Sequence, residues 1–245
     1  MSYLFEVFDR MTQTGPGSDA SSRRALRRFS DLPDRPRIAD FGCGPGRTSL
    51  LLARETQGEV IAIESHAPCI DALARRAERE GLSRYLFPMV ADMGQPPIAP
   101  KSLDLIWSEG AIYFLGFQRG LELWRPLLKT RAGIAVTEIT WLTDHPSPAN
   151  DRFWRREYPA MQSLAANVAA VEQAGYELIE TFTLPPEDWS LHYYTPLQVS
   201  IDQLRADHPD EPLAQQCAAI LQAEIDLYGA HGTEYGYVFY LARMA

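Results

Sequence analysis

Cysteine is scarce in this chain of 245 residues: Cys43, Cys69 and Cys217 are too few and too scattered for a disulfide framework or a zinc site. That points to a reducing compartment. Positive charge is in deficit, with 23 Lys and Arg against 32 Asp and Glu and a formal net charge of -9. Nucleic-acid binding is dominated by phosphate neutralisation, so DNA and RNA are poor partners for such a chain. Long apolar runs are missing, and none approaches the roughly 20 residues that a membrane span needs. The N-terminus carries Glu6, Asp9 and Arg10 early and has no apolar core of a leader segment. A cytoplasmic protein is expected, with neither nucleic acid nor membrane as partner. His66, His145, His208 and His231 lack metal-ligand spacing, and no metal is expected.

What is present is an ordinary globular composition, 46% hydrophobic, organised around the stretch from Ile38 to Ala53. An apolar run ends in Asp40, glycines follow at 42, 44 and 46, and an apolar helical segment begins at once. Those glycines remove the Cβ atoms that would keep a ligand from the backbone. The dinucleotide fingerprint Gly-x-Gly-x-x-Gly fails here in both registers, because its third glycine falls on Arg47 or on Ser49.

Along the rest of the chain, strand and helix signals alternate. A short helix lies within 1–14, and Ser18 or Asp19 caps a second at about 20–30, with Leu26 and Phe29 inward and Arg23, Arg24, Arg27 and Arg28 outward. The arginines read as a solvated face, or as a lid that offers a guanidinium to an anionic substrate. Strand one covers about 37–41. Strand two, at about 59–64, ends in Glu64, about 20 residues after the glycines, where an acid can accept from ribose hydroxyls. Strand three ends at Val90 before Asp92 and carries Pro88, which favours a sheet edge. Strand four runs into Trp107, Ser108, Glu109, Gly110, Ala111, Ile112 and Tyr113, a helix is expected at about 117–128 and a turn at 130–133, and strand five covers about 134–140. Prolines and aromatics at 141–162 read as an excursion over the crevice. A helix at about 164–174, strand six at 176–184, helices at about 196–206 and 211–229, and a last alternating strand from Glu234 follow.

Asp-x-Gly-x-Gly-x-Gly at Asp40 to Gly46, with Glu64 and Asp92 after the next two strands, resembles the class I S-adenosylmethionine-dependent methyltransferases. The wider resemblance is to bacterial small-molecule methyltransferases of the ubiquinone and menaquinone biosynthesis type, on Gly15 to Ser18 and Trp107 to Tyr113. It implies an α/β fold with a Rossmann-like, doubly wound, mostly parallel seven-stranded sheet, an antiparallel last strand, and N-terminal and inserted helical lid segments. It also implies one domain over 1–245, with a helical cap at 1–35, a cofactor core at 36–140, remaining helices, strand six and lid at 141–231, and a last strand at 232–245. The cofactor implied is S-adenosylmethionine, giving S-adenosylhomocysteine, with contacts from Asp40, Gly42, Gly44, Gly46, Glu64, Asp92, Met93 and Ser108. Asp92 would accept from the adenine amino group, with Met93 by the ring. No Asn-Pro-Pro-Tyr or Asp-Pro-Pro-Tyr run follows strand four, which departs from the nucleic-acid amino-methyltransferases.

Methyl transfer from a sulfonium is an in-line displacement, accelerated by holding the acceptor near attack distance. Where the acceptor must lose a proton, Glu109 at the end of strand four is the first candidate base, with His192 and Tyr113 as further catalytic candidates. Trp141, Trp154, Tyr158, Trp189, Tyr193 and Tyr194 lie outside the sheet pattern and either wall a pocket for an aromatic or cationic acceptor or pack the insert on the core. Aromatic helices of this kind could equally form a homodimer interface. The competing readings are a cofactor-binding or regulatory protein without turnover, a nicotinamide oxidoreductase and a protein methyltransferase.

Overall fold

In the computed structural model, which describes residues 3–245, the apolar runs that precede the acids become neighbouring strands of one sheet. In chain order the elements are α1 (Tyr3–Phe8), α2 (Asp19–Leu26), β1 (Arg37–Phe41), α3 (Arg47–Thr56), β2 (Glu59–Glu64), α4 (Ala67–Arg79), β3 (Leu86–Val90) and β4 (Leu103–Ser108). Then come α5 (Phe117–Trp124), β5 (Leu128–Trp141), α6 (Pro148–Glu157), the short β6 (Gln162–Ser163), α7 (Leu164–Gln173) and β7 (Tyr176–Thr183). The short α8 (Pro186–Trp189) continues through a π-helical turn at Ser190–Tyr194 into α9 (Thr195–Asp207), and α10 (Pro212–His231) and β8 (Tyr235–Met244) follow.

The strand order is β3-β2-β1-β4-β5-β8-β7, with β6 beside the end of β5. β1 to β5 pair in parallel, and β8 runs antiparallel between β5 and β7. This is the expected mostly parallel seven-stranded sheet with an antiparallel last strand, and one two-residue strand is added. Pro88 has no N–H to give a ladder, and β3 lies at the sheet edge, as it must.

Two apolar layers sandwich the sheet. On one face Ala25 and Phe29 from the α2 segment, Leu50 to Ala53 of α3, and Leu73 and Ala77 of α4 pack on β1, β2 and β4. On the other, Phe117, Leu121 and Trp124 of α5 and Val171 of α7 pack on Phe41, Ile106 and Tyr240. A third cluster joins Val7 and Met11 at the N-terminus to Trp189, Tyr194, Leu197, Ile201, Ala218 and Leu221, all against Ile139 and Tyr235. It caps the end of β5 at which the parallel strands finish, where α/β sheets bind their ligands.

Three local expectations are corrected. The turn at 130–133 lies inside β5, where Arg131 takes a φ of 63° and the pairing with β4 shifts register between Leu103 and Leu105. A bulge absorbs the irregular stretch without ending the strand. The helix expected to reach 128 ends at Trp124, because Pro126 lies in a 3-10 turn at Arg125–Leu127. The proline- and aromatic-rich excursion contains α6, with Pro148 in its first turn and Ser147 Oγ accepting from the Asn150 N–H. Pro and Ser there start a helix instead of interrupting one.

Candidate active site

The glycine loop hangs from the end of β1. The Gly42 and Cys43 N–H groups donate to the Ile63 carbonyl at 2.9 and 3.1 Å, and the Gly44 N–H donates to Glu64 Oε2 at 3.2 Å. Gly42 and Gly46 have φ of 68° and 85°; a Cβ on the first would collide with Ala111 and on the second with Leu73. Both positions therefore demand glycine on conformation and on space. Glu64 closes the same turn with its other oxygen, which accepts the Ser65 N–H at 2.7 Å, the Ser65 hydroxyl at 3.1 Å and the His66 N–H at 3.0 Å. The carboxylate is thus fixed at the crevice rim by surrounding donors.

Asp40 lies beneath the loop. It is buried and accepts from Ser49 Oγ at 2.5 Å, and burial pushes its carboxyl up to about 7. Asp92 is exposed just past β3, and its Oδ1 accepts the Gly94 N–H at 2.7 Å. The Met93 carbonyl accepts from Trp124 Nε1 at 2.9 Å, and its sulfur would lie 3.6 Å from a Cβ on Gly42. Ser108, buried at the end of β4, has a hydroxyl without a partner among the described residues. The strand ends thus bring the loop glycines, Glu64, Asp92 and Met93 round one crevice, with Asp40 bonded to Ser49 below it.

Glu109 is placed differently from what proton transfer requires. Oε1 accepts from Ser22 Oγ at 2.7 Å and Trp107 Nε1 at 2.8 Å, and Oε2 accepts from Arg47 Nη2 at 2.6 Å. Arg47 also reaches Asp19 and the Ser22 hydroxyl, both at 3.2 Å. The pair ties α2 to the start of α3. The same stretch is anchored elsewhere: Ser21 Oγ donates to the buried Asp188 at 2.5 Å, and the Gly17 N–H donates to the Asp188 carbonyl at 3.3 Å. Ahead of it, Thr14 Oγ1 would lie 3.0 Å from a Cβ on Gly44, so the N-terminal segment overlies the loop. Asp9 meets His66 at 2.8 Å, Phe5 stacks on the His66 ring at 4.3 Å, and Glu6 meets His208 at 3.0 Å. A strap therefore runs from the crevice rim to α9.

On the other side of the crevice Tyr113 faces a set of groups drawn from five elements. Its ring meets Tyr158 at 5.7 Å, and its phenol is pushed up by burial and by Glu224 and Glu138. Glu138, on β5, is buried with the Tyr158 phenol near it, and its Oε2 has no hydrogen-bond partner among the described residues. Burial pushes its carboxyl up to about 8. Tyr194 donates to Glu224 at 3.0 Å, and Trp189 stacks between Tyr228 and Tyr237 at 4.9 and 5.3 Å. His192 is exposed, while its neighbours Tyr193 and Tyr194 are buried. Sequence reasoning passed over Arg47, Glu138 and Glu224. The strand-end rule that selects Asp40, Glu64 and Asp92 would have selected Glu138 too, had it been applied to β5.

Residues 38–130 match the family described as Methyltransferase domain. The chain is similar to a sterol 24-C-methyltransferase of Aspergillus fumigatus, 25% identical over 208 residues, which are 80% of this chain and 55% of that protein. It is also similar to a dimethylglycine N-methyltransferase of Parasynechococcus marenigrum, 33% identical over 99 residues, 40% of this chain and 35% of that protein. This chain thus spans about half or less of the length of these curated relatives. A crystal structure of an S-adenosylmethionine-dependent methyltransferase from Geobacter sulfurreducens, in complex with S-adenosylhomocysteine, superposes with a TM-score of 0.81 at 19% identity, covering 100% of this chain and 99% of that one.

Proposed function

We propose that this chain, which carries a class I S-adenosylmethionine-dependent methyltransferase domain, transfers the cofactor's methyl group to a small-molecule acceptor. The observation that carries the reading is the Glu64 carboxylate, fixed at the end of β2 by the Gly44, Ser65 and His66 N–H groups beside a turn where glycine is sterically required. Such a turn leaves backbone exposed to a ligand and aims an acid at ribose hydroxyls. Bound there, S-adenosylmethionine would supply an activated methyl group and its leaving sulfur. Glu64 would hold the ribose, Asp92 the adenine amino group and Met93 the ring, while Gly42, Gly44 and Gly46 would take the amino acid end.

The remaining work belongs to positioning. The strap and the helical cap close over the end of the sheet, which supports an enclosed acceptor over a protein or nucleic-acid substrate, and the net charge of -9 supports the same choice. No helix among the described residues is long and apolar enough to cross a membrane. We read the protein as cytoplasmic and infer a homodimer, supported by Val199, Leu213 and Ile220, which stay exposed on α9 and α10; sedimentation of the purified chain decides the latter.

Thermal unfolding with added nucleotide tests the assignment. S-adenosylmethionine and S-adenosylhomocysteine each at 100 times its Kd should stabilise the fold by about 2.7 kcal/mol and raise the midpoint by several degrees, with no change from a reduced nicotinamide dinucleotide. A rise with the nicotinamide alone would turn the reading over to an oxidoreductase.

A further inference from the structure

We propose that the acceptor is an organic amine bearing neither carboxylate nor phosphate, received among the rings around Glu138, and that Glu138 takes the proton the amine must lose. The inference rests on the methyltransferase reading and names the substrate class of the same site. Its starting point is an orphan: Glu138 Oε2 is buried without a hydrogen-bond donor among the described residues. A buried acceptor left so is costly, and a donor brought by a ligand relieves that cost.

The surroundings decide what kind of donor. Tyr113, Tyr158 and Tyr237 lie near Glu138 with Tyr193 beside them, and Glu224 acts on Tyr113, Tyr193 and Tyr237. Among the described residues, the charged groups that act most strongly on this set are the carboxylates Glu138, Glu224 and Glu157. An anionic acceptor would be desolvated against acids with no compensating charge. An ammonium gains contact with ring faces and, once Glu138 is ionised, Coulomb attraction.

The proton balance fits. The amine enters as its ammonium, and one N–H proton passes to Glu138 Oε2, which leaves a neutral acid and frees the nitrogen lone pair. That lone pair forms the new N–C bond to the methyl carbon as the C–S bond breaks, the bonding pair staying on sulfur. The methylated ammonium leaves, and the Glu138 proton returns to solvent. A carboxyl pushed up to about 8 by burial is a far better proton acceptor for an ammonium than one at its ordinary value. Glu109 has both oxygens occupied by Arg47, Ser22 and Trp107, and His192 is exposed.

Calorimetric titration of the full chain in the presence of saturating S-adenosylhomocysteine tests the proposal with three probes of one shape: benzylamine, benzyl alcohol and benzoate. Benzylamine should bind at least tenfold more tightly than the alcohol, and benzoate should not bind. Glu138→Gln should abolish the preference while S-adenosylhomocysteine affinity stays within twofold, which also shows the variant is folded. In the wild type, benzylamine affinity should rise between pH 6 and 8 as Glu138 ionises, with Glu224 and the phenols of Tyr113, Tyr158 and Tyr237 as its titratable neighbours. Equal binding of the three probes, preference for benzoate, no binding of the amine, or an amine preference that survives Glu138→Gln would each overturn the inference. Failure of S-adenosylhomocysteine itself to bind the wild type would instead overturn the methyltransferase reading, so the two failures separate.

Discussion

Glu109 shows how a residue well placed in sequence can be given other work by its neighbours. Its carboxylate and Arg47 keep 8% and 16% of their side-chain surface, so removing one charge leaves the other buried and uncompensated. Arg47→Met should cost about 3 kcal/mol in urea unfolding. A loss under about 0.5 kcal/mol would contradict the tie between α2 and α3. Gly42→Ala is a second test, because it adds a Cβ both at positive φ and against Ala111. It should destabilise the fold by about 2 kcal/mol or more and weaken cofactor binding, and an unchanged unfolding midpoint would contradict the packing. The glycines and the strand-end acids were legible in the sequence because strand, turn and acid are local signals. The partners of Glu109 were not, since Ser22 and Arg47 lie 87 and 62 residues away in the chain and meet it only through the fold.

At the scale of elements, the strap formed by α1 and the segment to Gly17 overlies the loop, with Thr14 beside Gly44. Its two outer latches, Asp9 with His66 and Glu6 with His208, are half-exposed pairs worth up to about 1 kcal/mol each. Replacing Asp9 and Glu6 together by Ala should speed release of S-adenosylhomocysteine by about fivefold or more in stopped-flow fluorescence. An unchanged release rate would mean that the strap does not gate the crevice. The N-terminal helix, the Ser18 cap and the edge position of β3 could be read from short patterns. α6 could not, because Pro146, Pro148 and Pro159 look like breakers until Ser147 is seen to cap the helix and Pro148 to occupy its first turn. The full length of β5 escaped for a related reason: a bulge in a strand has the local chemistry of a turn.

Across the whole molecule, burial raises three acids, Asp40, Glu138 and Glu224, and these shape the response to pH. Asp40 is pushed up to about 7 and Glu138 to about 8, each chiefly by burial. The folded chain therefore keeps protons that the unfolded chain has already released above the ordinary carboxylate range. Stability falls as pH rises from about 4 towards 8, by up to about 1.4 kcal/mol per pH unit for each group. Urea unfolding at pH 6 and pH 8 should show the lower midpoint at pH 8, and Glu138→Gln should remove part of the difference. A midpoint that rises over this interval would contradict the burial of these acids.

Calorimetric titration with S-adenosylhomocysteine decides whether the crevice at the ends of β1, β2 and β3 holds the cofactor through Glu64 and Asp92. The wild type should bind one equivalent per chain, and Glu64→Ala and Asp92→Ala should each weaken binding by about 10- to 100-fold, the worth of hydrogen bonds to a charged group. Equal affinity in all three proteins, or no binding to the wild type, would mean that Glu64 and Asp92 do not hold the cofactor in this crevice.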